Sequence, residues 1–122
     1  MPPDGGHWKI EEAAAVAMDL SREGWQIPPE VVGYHKLAEV RRAFGGARSA
    51  AQVVYTDGMG AVSVFIESSS NFRDAAQPGV ATSGATRLYM RELGGFRVTA
   101  VGDAPPASVR RIAESVVYRG VP

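Results

Sequence analysis

The stretch Gln52-Val-Val-Tyr-Thr-Asp-Gly-Met-Gly-Ala-Val-Ser-Val-Phe-Ile-Glu67 reads as two strands around a glycine turn. Val62, Val64 and Ile66 point one way, while Ala61, Ser63, Phe65 and Glu67 point the other, the period of a strand with one buried face. Asp57-Gly58 is a strong turn pair, and Gly60 relaxes the turn further, as a bulge would. A hairpin implies antiparallel pairing, and its apolar face must be covered.

Working outward, Val31 to Phe44 carries Val32, Tyr34, Leu37 and Val40 among polar residues and suits a half-exposed strand. Gly45 to Ser49 is a loop. Arg87 to Leu93 and Phe96 to Val101 make a second hairpin around Gly94-Gly95. Pro105-Pro106 then open a helix to about Val116, with Val109, Ile112, Ala113 and Val116 as its buried stripe. Upstream, Trp8 to Glu23 is Ala-rich, with Glu11 and Glu12 near its start, and predicts an N-terminal helix ended by Gly24. Residues 1–7 read as a disordered lead, 8–27 as helix and connection, and 28–122 as the main domain. Ser68 to Gly84, rich in small residues and Pro, reads as a long flap or binding loop. The expected fold is α+β, an antiparallel sheet packed against an N-terminal and a C-terminal helix.

Composition narrows the function. The 122 residues carry 13 basic and 13 acidic side chains, a balance that offers no excess charge for nucleic acid or for a membrane surface. With no cysteine, disulfides, thiolate catalysis and Cys-ligated metal sites are excluded. His7 falls in the lead and His35 in a polar strand, so no metal site is expected. An enzyme would need His35 beside an acid in a cleft. No nucleophile elbow or phosphate-binding loop occurs. Asp57 and Asp103 fit turn chemistry better than acid catalysis. The expectation is a chain with no catalytic residues, no metal and no cofactor.

The features that remain belong to surfaces. Arg87, Tyr89 and Arg91 share one face of a strand, opposite Leu88 and Met90, and Phe65 lies opposite the apolar face of its own strand. Tyr and Arg are enriched at interface hot spots, although Tyr89 packed under a helix with its arginines reaching outward is an equal reading. The candidate protein-binding surface is Phe65, Arg87, Tyr89, Arg91, Arg97, Arg110 and Arg111.

Two segments carry a resemblance. Tyr55-Thr-Asp-Gly-Met-Gly-Ala-Val-Ser-Val-Phe-Ile-Glu67 resembles a hairpin of the C-terminal domain of MucB/RseB proteins. Phe96-Arg-Val-Thr-Ala-Val-Gly-Asp-Ala-Pro-Pro-Ala-Ser-Val-Arg-Arg-Ile-Ala-Glu-Ser115 resembles that family's last strand, Pro-Pro turn and helix, and Gly84 to Tyr89 fits the strand before it. The resemblance implies an extracytoplasmic, periplasmic domain that binds the corresponding segment of an anti-sigma factor and modulates its regulated proteolysis. It also implies a lipid-carrier-like N-terminal domain in the full protein, and a targeting segment outside this chain. The alternatives are a structural or self-associating domain, such as a homodimer, or a small lipid or ligand sensor without catalysis.

Overall fold

The computed structural model describes residues 15–43, 49–71, 79–83 and 86–120. Strands β1 (Ala15–Ala17), β2 (Trp25–Gln26), β3 (Glu30–Val31), β4 (Tyr34–Ala43), β5 (Ser49–Thr56), β6 (Ala61–Ser68), β7 (Gly79–Ser83), β8 (Thr86–Leu93) and β9 (Phe96–Gly102) precede helix α1 (Pro106–Ser115) and a short β10 (Val117–Tyr118). The main sheet runs β1-β4-β5-β6-β9-β8-β7, with β3 also on β4, and all its pairs are antiparallel. β2 and β10 form a separate two-stranded ladder.

The alternation in the opening stretch places the core. Val62, Val64 and Ile66 are buried and face Tyr55, Val53 and Ala51 on β5, and Gly102, Ala100 and Val98 on β9. Helix α1 packs on this face over β8 and β9. Its stripe of Val109, Ile112 and Ala113, with Val116 just beyond, is essentially inaccessible to solvent. Pro106 sits in the first turn, where its missing N–H removes no intrahelical bond.

The N-terminal helix is not found. Of its span, residues 1–14 lie outside the described residues, while Ala15–Ala17 is a strand and Leu20–Glu23 a single 3-10 turn. Asp19 caps that turn by accepting from the Ser21 N–H at 3.0 Å, and Gly24 ends it in the left-handed region at φ 92°. Good helix formers yield here because Leu20 and Trp25 are needed as cover for the sheet, and both are buried. The Leu20 N–H finds its acceptor in Glu39 Oε1 on β4, at 2.8 Å. Trp25 then stacks with Phe96 and Tyr118, centroids 4.9–5.1 Å apart, joining the small ladder to the sheet.

The connection Ser68 to Gly84 also differs from a long loop. A 3-10 turn at Ser69–Asn71 and strand β7 occupy its described parts, and the expected Phe72 anchor lies outside them. The 45–49 loop and the lead with His7 are outside the described residues as well, except Ser49, which opens β5.

Candidate protein-binding surface

Register sorts the side chains of the sheet into two faces. Tyr89 pairs with Ala100 and Arg91 with Val98, so Arg87, Tyr89 and Arg91 point to the helix-covered side. Arg91 Nη1 donates to the Ala113 carbonyl at 3.1 Å, close to the Val116 carbonyl, and so supplies a cation to the C-terminal end of α1. The Tyr89 hydroxyl lies 3.5 Å from Glu114 Oε2, and the Arg110 guanidinium stands 5.5 Å from the Tyr89 ring centre. Arg110 also pairs with Glu114 at 3.1 Å, which with Tyr89 holds its guanidinium above the usual range. Arg111 is exposed on the helix. Tyr89 thus lies half buried on the helix side, with Arg91 turned to the end of α1 rather than outward.

Phe65 and Arg97 lie on the opposite face. Three cross-strand rows run over it. One holds Ala38, Val54, Ser63, Val101 and Leu88, and a second holds Val40, Gln52, Phe65, Thr99 and Met90. In both rows the apolar side chains are only half buried. The third row alternates charge as Glu67, Arg97 and Glu92, and Arg97, at 5% exposure, donates to Glu92 Oε2 at 2.9 Å. A hydrogen bond from Ser69, with Arg97 beside it, holds the Glu92 carboxyl below its ordinary value. The candidate residues therefore do not form one patch: Phe65 and Arg97 share the face away from α1, Arg87, Tyr89 and Arg91 the helix side, and Arg110 and Arg111 the helix itself.

A cleft of about 200 Å³ opens at the end of the sheet that carries the Gly94–Gly95 turn. Leu20, Trp25, Ala51, Ile66 and Phe96 give it an apolar floor, and Glu23, Arg41, Glu67 and two serines a polar rim. Arg41 spans the rim to Glu23 at 2.7 Å. Nothing in the sequence announced this cleft, because its walls come from six separate elements. His35 is exposed, across the ladder from Glu30, and forms no part of it. Among the described residues no three His, Asp or Glu side chains converge on a metal position. Asp57 does turn work, its Oδ1 accepting from the Met59 and Gly60 N–H groups at 2.9 Å, whereas Asp103 accepts from Thr86 Oγ1 on β8, a bond between elements rather than within a turn.

These parts define an α+β domain whose sheet is covered on one face by a helix and carries half-buried side chains, with Gln52 and Arg97 buried among them, on the other. The family model of the MucB/RseB C-terminal domain matches residues 19–117, and the chain belongs to that family. Two solved structures share the fold. The crystal structure of MucB in complex with MucA(peri) aligns at TM-score 0.61 and 21% identity, over 80% of this chain and 37% of that one. The Pseudomonas aeruginosa MucA/MucB complex aligns at TM-score 0.60 and 22% identity, over 80% of this chain and 36% of that one. The chain thus spans little more than a third of the solved proteins it matches. No curated protein matches it.

Proposed function

We propose that this chain is an extracytoplasmic binding domain that engages the corresponding segment of an anti-sigma factor and so modulates its regulated proteolysis. The observation that carries this reading is the sheet face away from α1, where Phe65, Leu88, Met90 and Val101 are half buried beside the Glu67–Arg97–Glu92 row. Sheet faces with an apolar centre and a charged margin bind another chain through the centre and orient it through the margin. Membership of the MucB/RseB family, and two structural relatives solved with MucA, supply the class of partner.

On this reading the candidate residues contribute unequally. Arg91 is committed to the end of α1, and Arg97 is buried within its row. Contact area falls to Phe65 and its apolar neighbours, Arg110 is held by Glu114 and Tyr89, and the exposed Arg111 is left to steer an acidic partner segment at long range. Calorimetric titration of the purified chain with the extracytoplasmic segment of its cognate anti-sigma factor, at two salt concentrations, tests this. Expected are one-to-one binding that weakens with salt and a loss of roughly 2 kcal/mol for Phe65→Ala. A folded chain that does not bind, or that only self-associates, overturns the proposal. Protection of the bound segment from added protease tests the regulatory half.

A further inference from the structure

Four large apolar side chains are exposed among the described residues, and three of them lie in the half of the sheet opposite the cleft. Val32 occupies the turn between β3 and β4, Leu37 lies three residues into β4, and Met59 tips the turn between β5 and β6. The two turns are neighbours. His35 pairs with Thr56, which sets the 32–33 turn beside the 57–60 turn. Isolated exposed apolar residues are ordinary on a protein surface, but a cluster calls for a cause.

At each of the three positions the backbone departs from regular structure, and each departure turns an apolar side chain to solvent. Val32 is at φ 45° and Gly33 at φ 84°, the pair of positive angles that a two-residue hairpin turn requires and that a β-branched residue resists. Asn would fit Val32's place without that strain. A register shift between Lys36 and Ala38 bulges Leu37 out of the ladder, leaving it 61% exposed. Met59 is 98% exposed on a turn fixed by two N–H donors to Asp57 and by Thr56 Oγ1, which accepts from Gly58 and donates to the Gly60 carbonyl. Such a turn presents its methionine already ordered, so little entropy is lost when something covers it.

The surrounding charge states what would cover it. Glu30, Asp57 and Asp103 are exposed at this end. The nearby Lys36 is held by Glu39, and Arg87 is engaged as well. We infer that the Val32–Leu37–Met59 end is a second docking surface, for a protein segment that presents aliphatic side chains flanked by Lys or Arg. The carboxylates disfavour both an anionic lipid surface and a second copy of the same end. This inference is independent of the sheet-face proposal, since its residues and the sign of its partner's charge are different.

The test is an amide-resolved titration of the isotope-labelled 122-residue chain with a short peptide of alternating Lys and Leu. The same peptide with Glu for Lys, and phosphatidylcholine vesicles, are the controls. Expected are shifts confined to Val32 to Tyr34, Leu37 and Asp57 to Gly60 with the basic peptide alone. Met59→Ser should weaken binding about tenfold without moving the melting temperature. Val32→Asn should raise the melting temperature while weakening the peptide, and Phe65→Ala should leave the peptide unaffected. The inference is overturned by shifts centred elsewhere, by equal binding of the Glu peptide, by vesicles perturbing these residues more than the peptide, or by indifference to Met59→Ser.

Discussion

Tyr55 shows how one side chain sets a pH limit. It is fully buried on β5, and its hydroxyl donates to the Pro28 carbonyl at 2.7 Å. Burial, with Glu39 adding to it, pushes its pKa to about 12, and burial pushes Tyr34 upward in the same direction. The unfolded chain loses these protons near its ordinary value while the folded chain keeps them, so stability falls as pH rises from about 10 toward 12. The expected loss is on the order of 2 kcal/mol, read by denaturant melts across that range. Tyr55→Phe should flatten the dependence and cost about 1 kcal/mol at neutral pH. Asp57 acts on the acid side. Its backbone hydrogen bonds hold its carboxyl below the ordinary value, so its contribution is present above about 4 and is lost as pH falls.

Among the elements, the opening hairpin and α1 were legible because their apolar periods are strict and their boundaries are marked by Asp57-Gly58 and Pro105-Pro106. The 20–23 turn was not. Propensity favoured helix, and the decision lay with a carboxylate nineteen residues away: Glu39 accepts the Leu20 N–H and binds Lys36. Glu39→Ala should therefore cost roughly 1–3 kcal/mol by leaving a partly buried donor unpaired, whereas Glu39→Gln keeps an acceptor and should cost less. β7 carried no signal, since Gly79 to Ser83 lacks a large residue to mark a period, and only pairing with β8 defines it. The face of β8 was ambiguous for a related reason. Arg-x-Tyr-x-Arg looks outward and Leu-x-Met inward, yet α1 needs a donor at its C-terminal end and Arg91 provides it. Arg91→Met should lower stability by about 1 kcal/mol with no change in partner affinity, measured by melts and calorimetry together.

At the scale of the whole molecule, the cover of the sheet is divided between α1 and the small ladder that brings the end of the chain back to Trp25 and Gln26. The Arg119 N–H donates to the Gly24 carbonyl at 2.6 Å, and a β-carbon at Gly24 would fall 2.6 Å from Gly120. Gly24→Ala should thus be disruptive both through this approach and through its positive φ. Removing everything after Val116 uncovers Trp25 and Phe96 and should lower the melting temperature by about 8 °C, corresponding to roughly 2 kcal/mol.

That returning ladder also has a mechanical meaning. Gly24 and Arg119 lie at the same end of an antiparallel pair, so a pull applied to both separates β2 from β10 one bond at a time instead of shearing them together. Because the chain has no cysteine of its own, Arg22→Cys with Arg119→Cys gives a clean pair of handles for an optical trap. The first yielding event should come at low force and expose Trp25, Phe96 and Tyr118 while α1 and the eight-stranded sheet stay intact. A chain tugged in this way would signal tension by uncovering aromatic surface before it unfolds.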